Sequence, residues 1–270
     1  MKVFVDTAKL SEIKAAIDLG VCDGVTTNPS LIKAAMDELK IGMEDYIKEI
    51  CKIVDKGKPV SLEVISTETD KMVREAKTLY ERFNPIANNV VIKIPISTAT
   101  DLETHEDIDK GLKAIKELNN MGIKTNATLI MTPEQALLAA KAGATYVSPF
   151  AGRIDDYIRT NLGKKFEKSD YFPADGLIEE NKGTDDNGIL SGVDLVKKIV
   201  DIYKNYDIKS EVIAASIRNP RQVREVALAG AHIATIPFSV VEEMTKHPKT
   251  VEGVIKFSQD TVEEYKKIFV

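Results

Sequence analysis

The sequence predicts an α/β protein folded as a (β/α)8 TIM barrel with an extra C-terminal helix. Three observations point there. Eight short β-rich runs alternate with helix-period segments along the 270 residues. Several of those runs are almost continuously apolar, as strands are when a parallel sheet is covered on both faces. No Pro/Ser-rich linker divides the chain, so a single barrel domain spanning 1–270 is expected. A doubly wound open sheet is the competing architecture. It usually has fewer strands, and no GxGxxG or Walker-type glycine loop follows any run here.

In chain order the predicted strands are Val3–Asp6, Val25–Thr27, Val60–Val64, Val90–Ile94, Lys124–Leu129, Tyr146–Phe150, Glu211–Ala215 and Ile233–Ile236. Between them the helical period takes over. Asp107–Met121 places Ile108, Leu112, Ile115 and Leu118 in one apolar stripe. Pro133–Ala142 starts with Pro in its first turn and stops before Gly143, and Pro220–Ala229 repeats that grammar before Gly230. Two segments break the rhythm. One is the polar stretch Ser97–Glu106. The other is a long loop insertion, 155–192, whose Gly183–Gly188 portion reads as turn. Loops of that length are uncommon unless they cover or bind something. Both follow strand C-termini, the active-site face of a barrel. A final amphipathic helix, 250–269, follows the eighth unit. Closure does not need it, so it is expected to cover a barrel end or to join a partner subunit in a homo-oligomer.

Composition narrows the function classes. Thirty-seven basic residues stand against 42 acidic ones, a net charge of −5 with no long basic block, so nucleic acid is not an expected partner. No apolar stretch approaches a membrane span, and the N-terminus reaches a carboxylate at Asp6 before any signal-length apolar core; a cytoplasmic protein is expected. Cys22 and Cys51 lack a CxxC neighbour, and His105, His232 and His247 are scattered. Neither set has metal-ligand spacing, so no metal and no cofactor is expected. Arg is scarce, seven residues against 30 Lys, and three of the seven fall within Arg218–Arg224.

In a barrel, polar residues at strand C-termini converge. Here they are Asp6, Asn28, Glu63, Lys93, Asn126 with Thr128, Ser148 with Arg153, and Ser216 with Arg218. An Asp or Asn in such a place is commonly a turn residue or helix cap. Asn28-Pro29 has the form of an N-cap with Pro at N1. Lys93 is different, because it stands inside the apolar run Val90–Pro95. Either it snorkels from an edge strand, or it is desolvated inside the barrel, where a free amine forms Schiff bases with carbonyl substrates. Glu63 is a second charge inside an apolar strand, one unit earlier. It can form a salt bridge with Lys93 or shuttle protons for it, and Asp6 offers a further carboxylate. Arg153 and Arg218 suit bidentate phosphate binding; the plain alternative is surface pairing with Asp155 or Glu225.

Five segments together resemble the transaldolase family of Schiff-base (β/α)8 enzymes. They are Gly24–Ser30 (GVTTNPS), Val91–Pro95 (VIKIP), Asn126–Ile130 (NATLI), Ser148–Ile154 (SPFAGRI) and Ala215–Pro220 (ASIRNP). The match follows the family's order from Asp6 to Pro237. The resemblance implies that Lys93 condenses with a ketose phosphate, fructose 6-phosphate or sedoheptulose 7-phosphate, in the pentose phosphate pathway. A three-carbon dihydroxyacetone unit then passes to an aldose phosphate, glyceraldehyde 3-phosphate or erythrose 4-phosphate. By the same resemblance Asp6 handles the C4 hydroxyl proton, while Glu63 and Thr128 hold the water of Schiff-base formation and breakdown. Asn28, Asn126 and Ser148 hold the oxygens of the three-carbon unit, and Arg153, Ser216 and Arg218 clamp the phosphate. Relatives that use free dihydroxyacetone, the fructose-6-phosphate aldolase-like branch, usually carry Gln where Glu63 stands and Tyr where Phe150 stands. Phe150 therefore joins the candidate substrate-binding residues. The 155–192 and Ser97–Glu106 segments are longer than in short members of the family, and either can narrow or reshape the acceptor site.

Overall fold

In a computed structural model, which describes residues 1–36, 41–55, 57–101, 107–177 and 185–270, eight parallel strands close into a barrel in chain order. They are β1 (Lys2–Asp6), β2 (Gly24–Thr26), β3 (Val60–Glu63), β4 (Val90–Pro95), β5 (Thr125–Ile130), β6 (Tyr146–Pro149), β7 (Glu211–Ala214) and β8 (Ile233–Ile236). Each lies within a residue of its predicted bounds.

The described helices are α1 (Leu10–Asp18), α2 (Pro29–Ala34), α3 (Met43–Ile53), α4 (Thr69–Ala87), α5 (Lys110–Asn120), α6 (Pro133–Lys141), α7 (Ala151–Asn161), α8 (Gly192–Asn205), α9 (Pro220–Leu228), α10 (Phe238–Met244), α11 (Pro248–Gln259) and α12 (Glu263–Lys266). Their starts follow from the sequence. Asn28, Thr132 and Asn219 each cap a helix by accepting from a backbone N–H three residues on, with Pro at the next position.

Strand alternation sorts the core into two compartments. Ile92 and Ile94 point outward, into the apolar layer between strands and helices. Phe4, Val91, Tyr146, Ile213 and Ile233 point inward and form a separate apolar plug in the lower barrel. Phe4 and Tyr146 meet there edge to face, 6.5 Å between centroids. Two residues further along those same strands stand Asp6, Lys93, Ser148, Ala215 and Thr235. The plug thus closes the floor, and the next inward layer becomes the site.

Three predicted elements differ. The long insertion is shorter than 155–192, because α7 runs to Asn161 and buries Ile154, Asp155, Ile158 and Arg159 on one face. Two charged residues in that stripe hide its helical period from a hydropathy reading. Its described irregular parts are 162–177 and 185–191, and Asp186 and Ile189 exchange backbone hydrogen bonds in the second. The start of the Gly183–Gly188 turn lies outside the described residues, as does His105 with most of the end of Ser97–Glu106. The predicted helix 107–121 begins only at Lys110. Asp107 is left-handed (φ 70), which breaks helical continuity and leaves Ile108 exposed. The predicted C-terminal helix 250–269 is broken after Gln259: α11 ends there, and α12 and a 3₁₀ turn (Lys267–Phe269) complete the chain. No residue of this arm is buried, and Val254, Phe257, Ile268 and Phe269 are exposed.

Candidate active site

Sheet register brings the charged residues together. Glu63 of β3 pairs with Lys93 of β4, and Lys93 pairs with Asn126 of β5. Lys93 is buried, so it does not snorkel from an edge. Its Nζ lies 3.2 Å from Glu63 Oε2 and donates to the Thr27 carbonyl at 3.2 Å. A lone buried ammonium would be costly, and here the carboxylate offsets much of that cost. On the opposite wall, Asp6 pairs in register with Thr26. Thr26 Oγ1 donates to Asp6 Oδ1 at 2.6 Å and lies 2.5 Å from Thr235 Oγ1. With one proton per hydroxyl, Thr235 donates to Thr26 and Thr26 to Asp6. Desolvation raises the Asp6 pKa, against the opposing pull of the Thr26 hydrogen bond and the Lys93 charge.

These residues open into a cavity of about 240 Å³ at the strand C-termini. Eight predicted site residues line it: Asp6, Asn28, Lys93, Ser148, Phe150, Arg153, Ser216 and Arg218. The other three stand behind the wall. Glu63 contacts Lys93. Asn126 accepts from Ser148 Oγ at 2.8 Å. Thr128 is buried, and its hydroxyl has no protein partner among the described residues. Asn28 Oδ1 caps α2 at 2.9 Å, and the residue also lines the cavity.

The far rim is built differently. Ala151 and Gly152 at the start of α7 donate to the carbonyls of Ala215 and Ser216. A Cβ on Gly152 would fall 2.3 Å from Ser216 O and 2.5 Å from Arg218 Nε, so only glycine allows this approach. Ser216 is held left-handed (φ 59), a sparsely populated conformation for serine. Arg218 is half-buried. It donates to Asp156 Oδ2 at 3.1 Å, so its partner is Asp156 rather than Asp155 or Glu225. Its Nε is buried without a protein partner among the described residues. Arg153 is exposed and stacks 4.9 Å over the Phe150 ring.

Neither cysteine belongs to the site. Both are buried and free, and burial pushes the Cys51 thiol up to about 12. His232 accepts from Val212 N, and His247 caps α11. Among the described residues no helix is long and apolar enough to cross a membrane.

The family model described as transaldolase/fructose-6-phosphate aldolase matches residues 3–269. The chain belongs to that family. A probable transaldolase of Prosthecochloris aestuarii is 46% identical over 264 residues, covering 96% of this chain and 97% of that protein. One from Thermoplasma volcanium is 44% identical over 260 residues, with 96% and 95% covered. One from Clostridium botulinum is 43% identical over 269 residues, with 100% and 98% covered.

For this transaldolase-family barrel, sequence reasoning missed Thr26, Thr235, Asp156 and Lys168. Thr235 carried a readable signal, a polar residue inside the apolar run Ile233–Ile236, the same signal that marked Lys93. Thr26 is legible only through its pairing with Asp6. Asp156 and Lys168 reach the site through the packing of α7 and of the 162–177 segment, which no local pattern encodes.

Proposed function

We propose that the protein is a transaldolase that moves a dihydroxyacetone unit between sugar phosphates through a Schiff base on Lys93. The observation that carries this reading is the convergence, from three strands, of a buried amine, Lys93, its ion-pair partner Glu63 behind it and Asp6 at one cavity rimmed by arginines. Lys93 passes a proton to Glu63, and the free amine attacks C2 of a ketose phosphate. The carbinolamine loses water and becomes an iminium. Glu63 and Thr128 hold that water, and the unpartnered Thr128 hydroxyl is free to bind it. Asp6 takes the C4 hydroxyl proton. The C3–C4 electron pair moves into the iminium, leaving an enamine, and the aldose phosphate departs. The raised pKa of Asp6 favours it as a base and lets it keep the proton for the return step. An incoming aldose phosphate then accepts the enamine carbon, Asp6 returns its proton to the new hydroxyl, and water releases the ketose.

Asn28, Asn126 and Ser148 hold the oxygens of the three-carbon unit. Arg153, Ser216 and Arg218 bind the phosphate. Phe150 closes the site with an apolar ring. The reading places the enzyme in the pentose phosphate pathway of the cytoplasm. The exposed apolar residues of the C-terminal arm support a homo-oligomer joined through that arm.

The test is an exchange assay. Fructose 6-phosphate and erythrose 4-phosphate should yield sedoheptulose 7-phosphate and glyceraldehyde 3-phosphate. The rate should far exceed that of joining free dihydroxyacetone to glyceraldehyde 3-phosphate. Equal rates would replace this reading with the aldolase one.

A further inference from the structure

We infer that Lys168, brought to the cavity by the 162–177 segment, is a third cationic ligand for the substrate's phosphate. The inference rests on the transaldolase reading and adds a residue to its phosphate end. Lys168 is exposed, lines the same cavity as Arg153 and Arg218, and has no ion-pair partner among the described residues.

The turn that carries it is fixed before any ligand arrives. Asp170 N donates to the Glu167 carbonyl at 3.0 Å, and Glu167 N donates to Asp170 Oδ2 at 2.8 Å, so Lys168 sits at the tip of a closed turn. Arg159 of α7 anchors one side. Its guanidinium lies between the Phe166 and Phe172 rings, at 4.9 and 5.1 Å, and donates to the Asp170 carbonyl at 2.8 Å. The segment around α9 anchors the other side. Asn219 Nδ2 donates to the Ser169 carbonyl at 3.3 Å, and Tyr171 donates to Glu225 Oε1 at 2.8 Å. The anchoring elements are the ones that carry Arg153 and Arg218. The three cations are therefore positioned together, and little backbone ordering remains to oppose binding.

Charge gives the lysine a purpose. A sugar phosphate brings close to two negative charges at neutral pH. Asp156 already compensates Arg218 at 3.1 Å. Arg153 alone would leave the dianion under-neutralised, and Lys168 supplies the missing positive charge. A point-charge ammonium on a long stem suits this outer place, whereas the bidentate arginine stands deeper.

Inorganic phosphate, used as a competitive inhibitor of the exchange reaction, tests the inference. Lys168→Gln should weaken phosphate inhibition about fivefold to tenfold, the scale of a partly exposed charged contact. Lys168→Arg should restore most of it. Lys165→Gln, a like-charged change in the same segment but away from the cavity, should match the wild type. An unchanged inhibition constant in Lys168→Gln, or an equal loss in Lys165→Gln, would overturn the assignment. If phosphate does not compete even in the wild type, the transaldolase reading and this inference both fall. If Arg218→Ala weakens inhibition and Lys168→Gln does not, the inference fails alone.

Discussion

The two ends of the cavity are made of different material. At the chemical end, Glu63, Lys93 and Asn126 stand on the adjoining strands β3, β4 and β5 and Asp6 faces them from β1, all fixed by sheet register and backed by an apolar floor. At the proposed phosphate end, Arg153, Ser216, Arg218 and Lys168 stand on loops and helix starts, held by hydrogen bonds between α7, the residues around α9 and the 162–177 segment. The Lys93 side chain is 5% exposed and that of Arg218 is 23% exposed. A charge lost from the first end leaves a partner stranded in low dielectric. A charge lost from the second is softened by water and salt. On the proposed function, the covalent chemistry would sit on strands, where register fixes it, and phosphate recognition on loops.

The largest expected effect breaks the strand end. Lys93→Met removes the amine that pairs with Glu63 and whose charge acts on Asp6. Turnover should fall at least about a thousandfold, and borohydride trapping with a ketose phosphate should vanish. Thermal unfolding checks that the fold survives, and Lys93→Met/Glu63→Gln should recover stability lost by stranding the carboxylate. A reducible adduct in the single variant would refute the Lys93 assignment.

A second effect comes from the scaffold behind the phosphate end. Asp155 is buried, with Oδ1 accepting from Gly192 N at 2.7 Å and Oδ2 from Gln222 Nε2 at 2.9 Å. Gln222 in turn accepts from Arg218 N at 2.9 Å. Desolvation pushes the Asp155 carboxyl up from 3.8 to about 7, despite the Gly192 bond and the Arg159 charge. The native state then binds more protons than the unfolded chain between those values. Stability from this group is full below the lower value and falls as pH rises to about 7, by at most about 1.4 kcal/mol per unit. Asp155→Asn does not titrate. Its melting temperature relative to wild type should climb from pH 4 to 7 and then level off. A constant difference would show that Asp155 stays ionised throughout.

A third effect separates the ends by salt. Arg218→Ala should cost about 1.5–3 kcal/mol in kcat/KM for phosphorylated substrates. The penalty should shrink at high ionic strength, because the contact is half-exposed. Erythrose, which lacks the phosphate, should lose much less as acceptor. Equal losses for both acceptors would mean that Arg218 supports the fold rather than the phosphate.

The same division explains what could be read from the chain. The strand-borne residues were legible because a charge or hydroxyl inside an apolar run has few reasons to be there; Lys93 and Glu63 are the clearest cases. The strand bounds were legible because parallel strands are apolar on both faces. At the other end legibility was partial. Arg153 and Arg218 were found from residue type and nearness to a strand, but Asp156, which holds Arg218, reads as a surface acid on a charged helix. Lys168 is one lysine among 30, and only the clamped turn brings it to the cavity. The long insertion was drawn too long for a related reason, since α7 buries Asp155 and Arg159 and so departs from an apolar helical stripe. Residues 178–184 lie outside the described part of that segment.

Phe150 is where the two ends meet, and it gives the smallest and sharpest test. Its ring lines the cavity, and Arg153 stacks 4.9 Å above it. It follows β6, two residues after Ser148, whose hydroxyl bonds Asn126 at the chemical end. The ring is therefore shared between holding the Arg153 cation and bordering the cavity that the proposed enamine would occupy. It offers no proton. In the proposed mechanism Phe150 itself adds no acid or base beside the enamine, which favours transfer of the three-carbon unit over its release. Phe150→Tyr would keep the aromatic face under Arg153 and add one hydroxyl. That hydroxyl can do acid–base work at the strand end without disturbing the loop end. The rate with free dihydroxyacetone should rise about threefold to tenfold relative to transfer, below the usual range for a well-placed general acid because this hydroxyl did not evolve there. Phosphate inhibition should stay near its wild-type strength, since the cation–π contact survives. Measuring both ratios on both proteins decides the matter. A variant whose two activities change in parallel would show that Phe150 shapes the cavity as a whole and does not govern the fate of the enamine.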